Sequence, residues 1–559
     1  MVYILLAWIW ILFVTISLGW FFYHKVANRF VPVMQEPLPL VLYSLVGSCF
    51  LAWILAVLSF GVRIGPEVQV ILSLISFLLW IKGWSVLKVQ AAICLEVFTR
   101  AKLVFASFLL IAFLILLHAV QPPAFLDSGL YHIPFIKWLR EYPVIPGLGN
   151  LHGRLAFNSH LHLISAFFSS ETFGVPALEQ AFSSYLFLIY AFWQAQLFAR
   201  SLSLKEKWAI FYLGSQLLLL LFFRNAISSP MPDSSITIFI LVILTLVLEK
   251  IRNQSLNILD GCSFLITFLL LTIITFKCSI IFLLPIFIYL LWQLPHPART
   301  EYLKMFWPLC ILILLPWFSR NIILSGYFYY PLPAPDVLGL DWAIPGKKVE
   351  QELAEILYFA RRPGSDWEVA KGQALADWFP YWYACQEWLD KLLLFLVLTL
   401  LFMQPIRLFW RHQFKKETSL LPLFIIFSVG GIFWFFSAPA FRFGYGYLFS
   451  IFLLGVMSQL PEKLNSYLFI CLLLLAGVYS LNGIKNELRK LELIQLLRPA
   501  AYPVVITTVQ PVSGLPVRIV PGDGRCWNAP LPCTNEILNR LELRDVSIKS
   551  GFRIKPPVQ

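Results

Sequence analysis

Charge is what this chain has least of. Only 13% of its 559 residues are Asp, Glu, Lys or Arg, about half the share found in a soluble domain, which excludes a water-exposed globule of this length. Acidic residues are scarcer than basic ones, 30 against 43, leaving a formal net charge of +13. In a soluble protein that excess would point to nucleic acid. Here the basic residues cluster between apolar runs, where they set membrane topology, and no nucleic-acid partner is expected. Of nine cysteines, seven are scattered singly, most of them inside apolar runs, where Cys behaves as a small hydrophobe. None has zinc-ligand spacing with histidines. No internal repeat is evident, which disfavours the repeat-built transporter folds. The first apolar run, residues 2–23, lacks a basic leading segment and a small-residue cleavage site, so it reads as a retained span.

What the chain does have is hydrophobic length. Its residues are 59% hydrophobic and 16% aromatic, with a mean hydropathy of +0.76, the profile of an all-α polytopic membrane protein. Runs of spanning length fall near 2–23, 38–60, 67–84, 103–119, 174–199, 208–223, 234–249, 262–276, 278–294, 305–320, 389–405, 420–436, 443–460 and 464–482. This gives a bundle of about fourteen spans. The basic connections at 24–29, 82–102, 200–207, 250–252, 299–304, 407–416 and 462–463 then all fall on the cytoplasmic side, with the N-terminus outside. Residues 155–172 are apolar but must not span if that orientation is to hold. They are expected to lie as an amphipathic helix in the outer interface, with 82–102 as the cytoplasmic counterpart.

The spans divide the chain into an N-terminal set (1–102), a core (103–331) with an outer loop at 120–172, an outer insertion (332–388), a C-terminal set (389–482) and a small soluble α/β appendage (483–559). In the insertion, residues 349–362 read as a solvated helix bearing Glu350, Glu352, Glu355 and Arg361.

The outer loop concentrates the chain's polar chemistry. Asp127, His132, Lys137, Arg140, Glu141, His152, Arg154, His160 and His162 crowd into it, including four of the eight histidines. Five prolines and the run P-G-L-G-N preclude a continuous helix. A polar loop pinned between rigid spans is a natural functional surface. Asp127, after Pro122–Pro123, suits a general base or a ligand of a divalent metal, Mg or Mn, bridging phosphates, or else a helix cap. Asp233 in P-M-P-D-S-S-I suits a helix cap or the same metal. Lys277 interrupts a long apolar stretch and must either snorkel or meet an anion. Arg320 and Arg442 mark span ends on the same face, where a guanidinium fits a phosphate or carboxylate, or anchors among aromatics. His132, His152 and Arg154 are read as substrate-binding as a set.

In order and spacing, residues 103–331 resemble the GT-C superfamily of polytopic glycosyltransferases. The matching segments are L-D-S-G-L-Y-H, P-M-P-D-S-S-I, I-T-F-K-C-S-I-I-F-L-L-P and P-W-F-S-R-N-I-I-L-S-G-Y-F-Y-Y-P. The first departs from the family pattern, since Asp127 is followed by Ser128 and Gly129 where that pattern has two adjacent acids. The resemblance implies transfer of a sugar from a polyprenyl-phosphate carrier to a glycan or lipid acceptor, on the outer face of a bacterial cytoplasmic membrane. It makes Asp127 the acidic catalytic residue, Asp233 a second acid and Lys277 a phosphate contact. G-L-G-N-L-H-G-R-L-A-F-N-S and C-W-N-A-P-L-P-C resemble an uncharacterised bacterial membrane family, a likeness that supplies no chemistry. The alternatives are a flippase of lipid-linked glycans, which would need polar groups along a path through the bilayer, and an oligosaccharide polymerase or ligase. Two structural expectations follow. Asp127, Asp233 and Lys277 should meet in one cavity, and Cys526 and Cys533, outside the membrane with prolines between them, should form a disulfide.

Overall fold

A computed structural model describes residues 1–29, 37–169, 178–333, 338–411, 420–535 and 540–555. Of the described residues 71% are helical, with 19 α-helices and a small sheet region at the C-terminus. Apolar runs form helices because lipid offers no partner to a backbone N–H or C=O, and a helix satisfies both within one segment.

Nine of the described helices are long and apolar enough to cross a membrane, and Gly261–Phe276, Cys278–Gln293 and Leu421–Ser437 are shorter apolar helices. A multi-pass membrane protein follows from these lengths; the fuller count of about fourteen spans does not. Pro232–Arg252, 89% buried over its apolar window, runs through the middle of the bundle, whereas Pro66–Arg100 (22%) and Tyr467–Leu488 (28%) lie at its periphery. Val2–Phe21 packs tightly against Leu40–Leu58. A Cβ on Gly19 would fall 1.8 Å from the Tyr43 carbonyl oxygen, and one on Gly47 1.8 Å from that of Thr15, so glycine lets the two backbones touch. Thr15, Ser44 and Tyr185 then hydrogen-bond in series across three helices, at 2.8 and 2.7 Å.

Three stretches differ from the sequence reading. Residues 82–100 are not a separate interfacial helix: Pro66–Arg100 is one uninterrupted helix of 35 residues, because nothing in it breaks the hydrogen-bond ladder. The 155–172 stretch forms the helix His160–Phe168, buried at every residue; residues 170–172 lie outside the described residues. It is a core helix, packed on Leu40–Leu58 and Ala181–Ser203, and its histidines face protein where a surface helix would turn them to headgroups. In the insertion, Gly346–Tyr358 turns Val349 fully into the core, so this helix is docked and only partly solvated. The basic 407–416 connection falls partly outside the described residues.

The last long helix, Ser466–Leu488, runs past residue 483. After it, Thr508–Val512 pairs antiparallel with Leu515–Ile519, which pairs parallel with Cys533–Thr534; Leu541–Leu543 pairs antiparallel with Phe552–Ile554. Cys526 and Cys533 are disulfide-bonded. This appendage lies on the loop that carries Asp127 and Arg154. The N–H of Phe552 donates to the Pro146 carbonyl, that of Trp527 to the Gly129 carbonyl (2.9 Å), and the Thr534 hydroxyl to the Leu151 carbonyl.

Candidate functional site

Six separate stretches of chain bring charged side chains to one end of the bundle. Asp127 sits in the turn after Lys102–Ala119, where Pro122 and Pro123 have stopped the helix, and it leads into a π-turn at Ser128–His132. The Ser128 hydroxyl is 2.6 Å from that of Ser229, and the Ser228 hydroxyl donates to the Pro122 carbonyl, so this turn is stapled to the one preceding Pro232–Arg252. Asp233 occupies the first turn of that helix, where the dipole favours an anion. Lys277 follows Gly261–Phe276 at a break where the backbone becomes extended. Arg442 opens Phe441–Gln459, Arg154 lies in the short 3₁₀ turn Gly153–Ala156, and Glu352 and Glu355 are three residues apart on Gly346–Tyr358, hence on one face of it.

Their side chains form a row of alternating charge. Lys277 Nζ is 2.5 Å from Asp233 Oδ1. Asp233 Oδ2 is 3.7 Å from Arg442 Nε, and Arg442 Nη2 is 2.5 Å from Asp127 Oδ2. Asp127 Oδ1 accepts from Arg154 Nη1 at 3.2 Å. Arg154 reaches onward to Glu355 Oε1 at 3.3 Å and to Glu352 Oε1 at 3.5 Å. Neither aspartate acts as a side-chain cap; each carboxylate is turned to cations from distant segments. Aromatic faces complete the walls: Phe443 lies 3.6 Å from Lys277 Nζ and 5.1 Å from the Arg442 guanidinium, and Tyr131 lies 5.7 Å from that of Arg154, distances at which a cation is attracted to a ring.

Of the residues singled out in the sequence, Asp127, Asp233, Lys277, Arg154 and Arg442 come together. His152 stands behind them, its Nδ1 accepting the N–H of Arg154 at 3.2 Å. His132 is buried against Tyr131 and His162, with Nδ1 lacking a hydrogen-bond partner among the described residues. Burial holds the imidazoles of His132 and His160 well below the usual histidine range and lowers those of His152 and His162 to about 4 and about 3, with the Arg154 charge adding to the effect at His152. These histidines are therefore neutral and contribute no positive charge. Arg320 does not join the row. It is fully buried, donating from Nε to Asn158 Oδ1 at 2.9 Å and from Nη1 to the Ser59 hydroxyl, and it ties the loop holding Asn158 to the end of Leu40–Leu58.

The sequence reading missed Glu352 and Glu355, whose i,i+3 spacing beside Val349 marks a docked acidic face. It also missed Trp527, whose ring leaves no room for a Cβ on Gly129, two residues from Asp127.

Among the described residues, no three His, Cys, Asp or Glu side chains gather as a metal-ligand group. Both aspartates are already engaged by cations, so the donor set suits an anion better than a divalent metal. A separate apolar cavity of 490 Å³, bordered by Leu58, Arg63, Glu67, Ile71, Glu141 and Lys549, shares no residue with the row.

Residues 1–449, which include every member of the row, match the family described as a domain of unknown function (DUF8201), and the chain belongs to that family. No curated protein and no solved structure matches the chain.

Proposed function

We propose that this chain of the DUF8201 family is a membrane glycosyltransferase, moving a sugar from a polyprenyl-phosphate carrier to a glycan or lipid acceptor. What supports the reading is the alternating row Lys277–Asp233–Arg442–Asp127–Arg154–Glu352/Glu355 at one end of an apolar bundle. It is the pattern of a site that receives an anion and must stay near neutral when empty. A buried cation without a partner is costly; here each is held by a carboxylate that an incoming phosphate can replace. The side chains of Lys277, Arg442 and Arg154 remain 28%, 24% and 22% exposed, enough for a ligand to reach them.

In this mechanism the carrier's lipid lies against the apolar helices and its phosphate meets Lys277 and Arg442. The acceptor hydroxyl docks at Asp127 and attacks the anomeric carbon as the phosphate departs. Charge develops on the leaving phosphate, and cations already fixed in a low-dielectric site stabilise it without reorganising, commonly the dominant contribution to such catalysis. Since the aspartates are engaged by cations, no step is routed through a metal. The clustering of basic residues in the connections at the opposite end supports a cytoplasmic position for that end, and on this reading the row works at the outer face of a bacterial cytoplasmic membrane.

The test is turnover in lipid nanodiscs with a panel of undecaprenyl-phosphate [¹⁴C]hexoses. The wild type should release undecaprenyl phosphate from at least one donor, and Arg442→Ala should release it about 10²–10³-fold more slowly. Release from none of the panel, or equal release by both proteins, would sink the reading.

A further inference from the structure

Displacement at the anomeric carbon needs a group that takes the acceptor's proton. Asp127 orients a hydroxyl well but is a poor resting place for its proton, because each of its oxygens lies on a guanidinium, at 2.5 Å from Arg442 and 3.2 Å from Arg154. Protonation there would disrupt two charge-assisted pairs.

Glu352 differs on each count. It comes from the outer insertion, on the docked helix Gly346–Tyr358, and its side chain is only 13% exposed. Among the described residues its one ion pair, to Arg154 Nε, is 3.5 Å long, and Oε1 is buried with no hydrogen-bond partner. The position is closely fitted: a Cβ on Gly153 would fall 2.5 Å from Glu352 Oε2 and 2.9 Å from the Tyr330 hydroxyl. Arg154 joins Glu352 to Asp127, which puts the two carboxyls on either side of one guanidinium.

We propose that Glu352 is the general base of the transfer that the preceding reading describes. The hydroxyl oxygen bonds to the anomeric carbon while its proton passes to the Glu352 carboxylate. The bond from the anomeric carbon to the donor phosphate breaks with its electron pair going to phosphate, so the polyprenyl phosphate leaves with one more negative charge. Glu352 returns the proton to water after product leaves. Its proton affinity suits that role. Burial pushes the carboxyl up to about 7, against the pull of Arg154, with Glu355 raising it further and Lys348 lowering it. Tyr330 is a further titratable neighbour, and its phenol is held protonated by burial. A base poised near neutrality combines a large deprotonated fraction with useful basicity.

The experiment is the pH profile of donor turnover, with undecaprenyl-phosphate [¹⁴C]hexose as donor and water as the acceptor hydroxyl. Wild-type turnover should rise through about pH 7 and level off above it. Glu352→Gln should fall by about 10²–10⁴-fold and lose that limb while binding undecaprenyl phosphate as the wild type does. Glu352→Asp, which keeps the carboxyl, should recover part of the rate and the limb. Glu350→Gln, at an exposed acid of the same helix outside the row, should keep both. Glu352→Gln turning over with the wild-type limb would overturn this assignment alone, and Glu352→Asp with no better turnover than Glu352→Gln would do the same. A wild type that releases product from no donor would overturn the glycosyl-transfer reading beneath it.

Discussion

Both ends of this bundle are held by ion pairs, yet the two networks are built to different ends. At one end the basic connections close on themselves. Arg252 meets Glu206 at 2.5 Å and Glu249 at 3.2 Å, Lys250 meets Asp260 at 2.8 Å, and Lys207 meets Glu462 at 3.1 Å. Their cations are sealed, with side chains 9%, 2% and 10% exposed. At the other end the cations of the alternating row are more open, at 22–28%, and lie beside aromatic faces. A sealed pair fixes connections; an open row between rings can exchange one anion for another. Accessibility, more than the number of salt bridges, separates architecture from chemistry here.

Mutating matched arginines breaks the comparison most sharply. Arg442→Ala removes the cation shared by both aspartates and should lower turnover by about 10²–10³-fold, the cost of losing one preorganised charge, with little change in thermal stability. Arg252→Ala should do the reverse. It leaves Glu206 and Glu249 without their partner and should lower the stability to unfolding by about 3 kcal/mol, read as a lower unfolding temperature, with turnover per folded molecule unchanged. If Arg252→Ala abolished turnover while the fold held, the proposed division of labour would be wrong.

Asp127→Asn tests the exchange itself. It keeps the shape of the side chain but frees Arg442 from a carboxylate. Turnover should fall steeply, while the affinity for undecaprenyl phosphate, read by native mass spectrometry, should rise by up to about tenfold, about 1.4 kcal/mol. Weakened binding would mean that Asp127 supports the ligand instead of standing in for it.

Much of the row was legible because charge is so rare in this chain. Asp127, Asp233, Lys277 and Arg442 each interrupt or terminate an apolar run, and the ends of spans are the places where a charge can be both tolerated and reached. Arg320 satisfied the same criterion and proved to be a buried tie to Asn158 and Ser59, because position along a helix does not say which side faces the site. Glu352 and Glu355 sit in a segment so charged that a solvated helix explained it equally well, and only docking through Val349 distinguishes the two. The His160–Phe168 helix was misplaced for a related reason: its pattern suits an interface, but the neighbouring helices enclose it on all sides.

Two smaller effects sharpen the picture. Reducing Cys526–Cys533 should loosen the Trp527 contact with Gly129 and slow turnover modestly, while weakening the appendage by about 2–3 kcal/mol for so short a loop; hydrogen exchange at residues 125–132 before and after reduction measures it. Chelation should do least. With both aspartates engaged by cations, turnover in EDTA should match turnover in added Mg²⁺ or Mn²⁺, and a chelator-sensitive rate would require a metal at Asp127 and Asp233.

The most direct test of the central claim is a structure of the protein in nanodiscs with undecaprenyl phosphate bound. Phosphate density is expected between Lys277 and Arg442, with at least one of Asp233 and Asp127 drawn away from its cation. Phosphate density at the opposite end, beside Arg252 or Lys207, with the alternating row intact, would contradict it.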